Sequence, residues 1–402
     1  MPPLSGIKVL DFTHLLPGEL CAAALSDMGA DVLRIESHIP GLAHKLPPIV
    51  EGESLFYWSM QRDKSRLKVD LKTTEGVELI KRIVPECDVV IENFRTGVMD
   101  RLGLGYETMS ALNPSIIFLS ITGHGADSDR KDTPVHDLNL VAETGLLSLN
   151  SRDNERPVIP AIPVSDYMSG LLGALSIVAS LYERKPGEKG KALDISMLDA
   201  TLSSLNVLGS MVLYTGKTPA EGGFAYPKEF PNYNVYECQD GRFLAVACLE
   251  RPFWQTFCRI IERPDLEPVI ADLSRETELK ETIADVIKHK NLSEWTRLFE
   301  GSKCCVSPVN TINEAFESYP LKERGMVANL IHPVLGNIPQ ILFPVDKQLR
   351  KVRSPENGDN RLTELLSLLN KAGYTNAEID KLIDEKIISL PGEIKTSSTP
   401  TR

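Results

Sequence analysis

What the chain lacks narrows its function before any motif is read. Basic residues are the minority, 44 Lys and Arg against 55 Asp and Glu, for a formal charge of −11. A nucleic-acid binder would carry a clustered basic excess, so that class is set aside. The N-terminus, Met1-Pro2-Pro3-Leu4-Ser5-Gly6, has neither the charged nor the apolar region of a signal peptide. The longest apolar run, Tyr167 to Tyr182, is interrupted by serines and glycines and falls short of the roughly 20 residues a membrane span needs. Seven cysteines occur without a C-x-x-C pair and without histidines spaced to complete a zinc site. They are expected to be buried free thiols in a reducing, cytoplasmic setting, with no metal and no membrane partner. An organelle address at the other end of the chain stays open. No G-x-S-x-G elbow is present, which disfavours a serine hydrolase. Gly123-His124-Gly125 follows a strand, but Ser128 stands where a dinucleotide fingerprint needs its third glycine, and polar residues follow instead of a helix. No nicotinamide or flavin cofactor is expected.

What is present points to a two-domain α/β protein, since 402 residues exceed one ordinary core. Gly6 to Phe12, Ala30 to Ile35, Asp88 to Ile91 and Ser115 to Ile121 read as strands. Helical segments alternate with them near Gly18 to Met28, Thr73 to Pro85 and Tyr106 to Leu112. That alternation implies a parallel sheet covered on both faces. Three stretches, Asn139 to Leu149, Tyr167 to Arg184 and Leu198 to Tyr214, are apolar around most of their circumference and are expected to be buried on several sides. The Gly/Pro-rich link Gly216 to Pro231 marks a boundary. The expected organisation is a large α/β domain over 1–215, a small α+β domain over 216–330, a segment over 331–390 that returns to the large domain, and a disordered tail over 391–402.

Several residue groups could carry chemistry. His136 and Asp166 offer a base that titrates near neutrality and a carboxylate, each beside a predicted helix. The plain alternative is that His136 starts a helix and Ser165 or Asp166 caps one. Arg62, Lys64, Arg66 and Lys72, with Arg95 and Arg101 further on, concentrate positive charge near predicted strand ends. There they would collect phosphates, or else lie as solvated surface charge. Glu250 follows the strand 243–246 and, alone, reads as an ordinary loop carboxylate.

Longer motifs carry a resemblance. They include Met28-Gly29-Ala30-Asp31-Val32, Val69-Asp70-Leu71-Lys72, Ile91-Glu92-Asn93-Phe94-Arg95 and Asp100 to Tyr106. Asp194-Ile195-Ser196-Met197-Leu198-Asp199 and Tyr236 to Arg242 complete the set. From Leu4 to Ile387 the chain resembles the family III CoA-transferases and the related α-methylacyl-CoA racemases. The resemblance implies a Rossmann-like large domain with a parallel sheet, a smaller α+β domain and an interlocked homodimer. It also implies an acyl-CoA substrate, with coenzyme A as part of the substrate and no separate cofactor. Asp166 matches the aspartate that is a nucleophile in transferases and a base in racemases. His136-Asp137 is similar to the racemase His-Asp pair, and Glu250-Arg251-Pro252-Phe253-Trp254 to the segment whose glutamate supports that histidine. The implied CoA-binding residues are Val69, Asp70, Leu71, Lys72, Asn93, Phe94, Arg95, Arg101 and Asp137.

Two departures from the pattern are visible: Ser37 replaces an arginine, and Tyr167-Met168-Ser169-Gly170 replaces a glycine run. The favoured expectation is an α-methylacyl-CoA racemase of fatty acid metabolism. His136 and Asp166 would remove and return the α-proton, with Glu250 fixing the imidazole. A helix N-terminus or amides near Asp166 would hold the enolate. The alternative is a CoA-transferase in which Asp166 attacks the thioester.

Overall fold

The apolar runs of the first 200 residues become the strands of one sheet. The computed structural model describes residues 1–150, 156–185, 187–219, 230–318, 323–350 and 361–391. Most of the predicted tail and residues 220–229 of the predicted link lie outside the described residues. Two compact units are present, one of residues 1–209 with 322–402 and one of 210–321.

The first unit is built on a seven-stranded sheet in the spatial order Ile388–Ser389, Lys64–Val69, Asp31–Glu36, Lys8–Asp11, Val89–Glu92, Ile117–Thr122, Ala192–Ser196. All neighbours run parallel except the edge strand Ile388–Ser389, which is antiparallel to Lys64–Val69. The chain starts in the middle, winds outward through the second and third strands, then returns to wind the other way from Val89–Glu92. This is the doubly wound order, whose crevice opens at the carboxyl ends where the winding reverses. Val89–Glu92 is buried along its whole length, because helices cover both faces of a parallel sheet. Leu365, Leu369, Ile379 and Ile388 from the C-terminal segment join Leu67, Val69 and Ile80 in one core cluster.

The helix Val164–Glu183 packs on Leu16–Asp27 through small residues. A Cβ on Gly170 would lie 2.6 Å from the Pro17 carbonyl oxygen, and one on Gly173 would lie 3.0 Å from Leu119. At 20 residues it is long and apolar enough to cross a membrane by length and composition, more than the sixteen-residue apolar run alone offered.

The second unit has a three-stranded antiparallel sheet, Val306–Pro308, Phe243–Ala247, Tyr233–Glu237. Its core is Trp254, Phe257, Ile283, Trp295 and Phe299 from the helices laid against that sheet. The protein is therefore a mixed α/β fold with one large, mainly parallel sheet and smaller antiparallel ones.

Three expectations fail for physical reasons. The stretch 139–149 is not one helix, because Gly145 takes φ 80° and separates Asp137–Glu143 from Leu146–Leu149. The apolar helices are not buried all round. Leu175 is 62% exposed on one of them, and Val207, Leu213 and Tyr214 are exposed on Asn206–Thr215. Arg62 and Lys64 neither hold phosphate nor lie in solvent: both are buried and ion-paired inside the unit.

Candidate active site

The crevice of the doubly wound sheet contains a cavity of about 390 Å³. Its wall comes from the carboxyl ends of four strands: His14 and Leu15 after the first, Asn93 to Thr96 after the fourth, Ile121 to Gly123, and Met197 after Ala192–Ser196. His136 and Asp166 complete it, with Lys131 and Val135. Thus the two residues singled out thirty positions apart share one cavity, at the place where this topology puts ligands.

Local bonding fixes each of them. His136 is the residue just before the helix Asp137–Glu143, and its backbone N–H donates to Asn139 Oδ1 at 3.0 Å. Asp166 is not the cap of its helix, because the helix begins at Val164 after Pro163 and Asp166 is its third residue. The capping acceptor comes from elsewhere. Asp137 Oδ1 accepts the backbone N–H of Ser165 at 2.6 Å and of Asp166 at 3.4 Å, so one helix start anchors the next. Both amides are spent on Asp137, which removes them as holders of an enolate oxygen. That part of the expected mechanism is corrected.

Asp166 is half-buried, and its pKa is pushed up to about 7, first by burial and then by the negative charge of Asp137. The N-terminal end of a helix would act the other way, favouring the carboxylate, but lost hydration dominates here. Asp137 is itself raised by burial, against the hydrogen bonds from the two amides. Lost hydration also lowers the His14 pKa, aided by the nearby Arg34 cation. A carboxyl group that titrates near neutrality beside an exposed histidine can both take up and release a proton under working conditions.

The other expected residues fall into three places. Asn93, Phe94 and Arg95 line the cavity. Val69 is buried in the core, while Asp70, Leu71 and Lys72 turn out of the same carboxyl edge two strands from Lys8–Asp11, about 10 Å away across the sheet. Arg101 is exposed at the end of the short helix Val98–Arg101. Glu250 belongs to the second unit, where it is exposed directly before the helix Arg251–Ile260.

Reasoning from sequence missed His14, Leu15 and Lys131. Leu15 has φ 63° and ψ −174°, a region that a side chain makes costly, and such strain gathers at ligand sites. The usable signal was positional: His14 and Leu15 follow the first strand of a doubly wound sheet. Among the described residues no cluster of three or more His, Cys, Asp or Glu side chains could hold a metal ion.

Comparison with known proteins agrees with this geometry. The family model CoA-transferase family III matches residues 4–359. Human alpha-methylacyl-CoA racemase (Homo sapiens) is 31% identical over 401 residues, covering 96% of this chain and 97% of the human protein. Succinyl-CoA:glutarate CoA-transferase of Homo sapiens is 30% identical over 346 residues, covering 84% and 78%. Among solved structures, a CAIB/BAIF family protein from Brucella suis superposes with a TM-score of 0.76 at 26% identity, over 91% of this chain and 99% of that one. The chain therefore belongs to CoA-transferase family III, as an enzyme of a group whose relatives include both CoA-transferases and racemases.

Proposed function

We propose that the protein is an α-methylacyl-CoA racemase. The observation that carries this reading is Asp166, a carboxyl group raised to about 7 in a cavity it shares with His136. A base poised near neutrality suits reversible proton transfer, in which each group must serve as acid in one direction and base in the other. The thioester carbonyl acidifies the neighbouring C–H bond. One of the two groups takes that proton, the electron pair moves onto the carbonyl oxygen, and the other group protonates the opposite face of the enolate. Arg95 and Lys131, the cations of the cavity wall, are placed to meet substrate charge. Asp70, Leu71 and Lys72, with Asn93, Phe94 and Arg101, are assigned to coenzyme A, Val69 being a core residue that only holds that edge. Glu250→Gln tests whether the glutamate of the smaller unit takes part.

The test is exchange of the α-hydrogen of a 2-methylacyl-CoA in deuterated water. The wild type is expected to incorporate deuterium and interconvert the two epimers, and the Asp166→Asn variant to do neither. Wild-type protein that leaves the α-hydrogen untouched would sink the racemase reading.

A second reading is supported by the 30% identity to a succinyl-CoA:glutarate CoA-transferase. In it, Asp166 attacks the thioester carbon and expels CoA thiolate to form a mixed anhydride. The thiolate then attacks the Asp166 carbonyl carbon and releases the donor carboxylate. An acceptor carboxylate attacks the resulting Asp166 thioester, and the thiolate it expels takes the acceptor's acyl carbon, which frees Asp166. Hydroxylamine would trap Asp166 in that case, and His136→Ala would keep its activity.

We also propose an interlocked homodimer. The exposed Leu175, Val207, Leu213 and Tyr214 support it, because apolar faces of this kind ordinarily find a partner. Light scattering should give twice the chain mass. The acidic charge supports a protein that works without nucleic acid, and we propose a cytoplasmic enzyme that uses the CoA thioester as substrate with no added cofactor.

A further inference from the structure

The second unit holds a pair of thiols that the acyl-CoA chemistry does not use. Cys248 Sγ lies 3.4 Å from Cys304 Sγ, and Cys305 follows at the surface. The backbone explains the contact. Phe243–Ala247 pairs antiparallel with Val306–Pro308, with Val246 opposite Val306. The Ala247 N–H donates to the Cys305 carbonyl at 2.8 Å, so the register runs on past the ends of the two strands. One further step puts Cys248 opposite Cys304 as a pair without mutual backbone hydrogen bonds, the kind whose Cα atoms approach to about 4.5 Å. That separation is within the span a disulfide bridges.

Both partners are held. The Cys248 N–H donates to the Asn232 carbonyl at 2.7 Å, and Asn232 Nδ2 donates back to the Cys248 carbonyl at 3.0 Å. Cys304 Sγ lies against the Phe253 carbonyl at 3.6 Å, and the residue is partly open to solvent while Cys248 is buried. The other buried thiols differ. Burial raises Cys87 and Cys258 to about 12 and Cys238 to about 11, whereas the hydrogen bond between Cys248 and Cys304 lowers Cys248 and raises Cys304, the proton donor of the pair. A thiolate on Cys248 is therefore more accessible than one at those other positions.

We propose that Cys248 and Cys304 are a peroxide-reactive dithiol that closes reversibly to a disulfide. The 3.4 Å contact lets the Cys304 proton pass to the Cys248 sulfur, and the solvent-facing Cys304 sulfur, so ionised, is the one a hydroperoxide reaches. Attack by Cys304 on the O–O bond of hydrogen peroxide forms an S–O bond and releases hydroxide, which is protonated to water. The Cys248 sulfur then attacks the sulfenic sulfur, forms the S–S bond and expels the second oxygen as water. Two thiols are oxidised, one peroxide is reduced, and two waters leave. Because Cys248 lies two residues before Glu250, the bond tethers the segment that carries that glutamate. The pair itself is independent of the reaction assigned to the larger unit.

The experiment treats the full-length protein with hydrogen peroxide, blocks free thiols with N-ethylmaleimide, and counts thiols and maps peptides by mass spectrometry. The expected result is a loss of two thiols per chain and a linked Cys248–Cys304 peptide pair lighter by two hydrogen atoms, both reversed by dithiothreitol. The link should persist in Cys305→Ser and vanish in Cys304→Ser, whose partly exposed site tolerates the change, with circular dichroism checking the fold. Seven thiols retained after peroxide, a link that survives Cys304→Ser, a bond between chains, or irreversible sulfinic acid at either position would each overturn the proposal.

Discussion

Two groups of carboxylates in the first unit, one buried and one half-buried, have opposite surroundings. Asp11 and Glu19 sit among cations: Lys64 Nζ is 2.8 Å from Glu19 and 3.7 Å from Asp11, and Arg34 is 2.6 Å from Glu19 and 3.0 Å from Glu36. Among the described residues neither Asp137 nor Asp166 forms an ion pair. Asp137 Oδ1 accepts the backbone N–H groups of Ser165 and Asp166, and the charge acting on Asp166 is that of the Asp137 carboxylate. In the first group Coulomb attraction offsets lost hydration, and Glu36 is held below its ordinary value chiefly by Arg34. In the second nothing offsets it, so Asp166 rises to about 7. The lesson is that burial alone does not make a carboxylate reactive. Burial without a counter-charge, at the mouth of a crevice, does.

That contrast can be broken from either side. The largest effect is expected for Asp166→Asn, which removes the titrating group. Racemisation, followed by chiral chromatography of the hydrolysed product, should fall by about 10²- to 10⁴-fold or more. Lys64→Met strips the first group of a cation, leaves a buried charge unpaired, and should destabilise the fold by about 3–5 kcal/mol in urea titration. A loss below 1 kcal/mol would mean that the network does not depend on Lys64.

Asp166→Asn should also stabilise the protein, in a pH-dependent way. The wild-type group has a folded pKa of about 7 against an ordinary 3.8, so it favours folding only while protonated. Its unfavourable term is absent below 3.8, grows as pH rises through the interval, and is complete above 7. At pH 8 the variant should be more stable by up to about 4 kcal/mol, and near pH 3.5 the difference should vanish. Equal stability at both pH values would show that Asp166 is not shifted. The smallest effect is expected for Asp137→Asn, which can keep the hydrogen bonds to Ser165 and Asp166 but removes the charge. The limb of the pH–rate profile near 7 should move down by about half a unit to one unit. No movement would mean burial alone sets it.

Much of the first unit was readable because a buried parallel strand announces itself locally. Asp88-Val89-Val90-Ile91 has no reason to be so apolar unless both faces are covered. The site was readable only in part. His136 and Asp166 stood out by residue type and by resemblance, and the structure brings both to one cavity. The roles of Arg62 and Lys64 were not readable, because their partners Asp27 and Glu19 lie 35 and 45 positions away, and charge density carries no information about burial. The capping of one helix by Asp137 from another was hidden for the same reason. Nearby Asp166 was the obvious local candidate, and local chemistry cannot see a longer-range competitor. His14 was passed over because its importance comes from strand order, which only the assembled sheet defines.

The crevice itself has a gauge. Asn93 Oδ1 accepts the His14 N–H at 2.7 Å, and Asn93 Nδ2 donates to the His14 carbonyl, so a side-chain amide copies a strand pairing across the point where the winding reverses. The two halves of the sheet cannot drift apart there without breaking both bonds. The opening is therefore set before any thioester arrives, and the substrate is spared the entropy of ordering it. A single asparagine thus acts as a calibrated spacer, and lengthening or shortening that one side chain would resize the mouth of the cavity without touching His136 or Asp166.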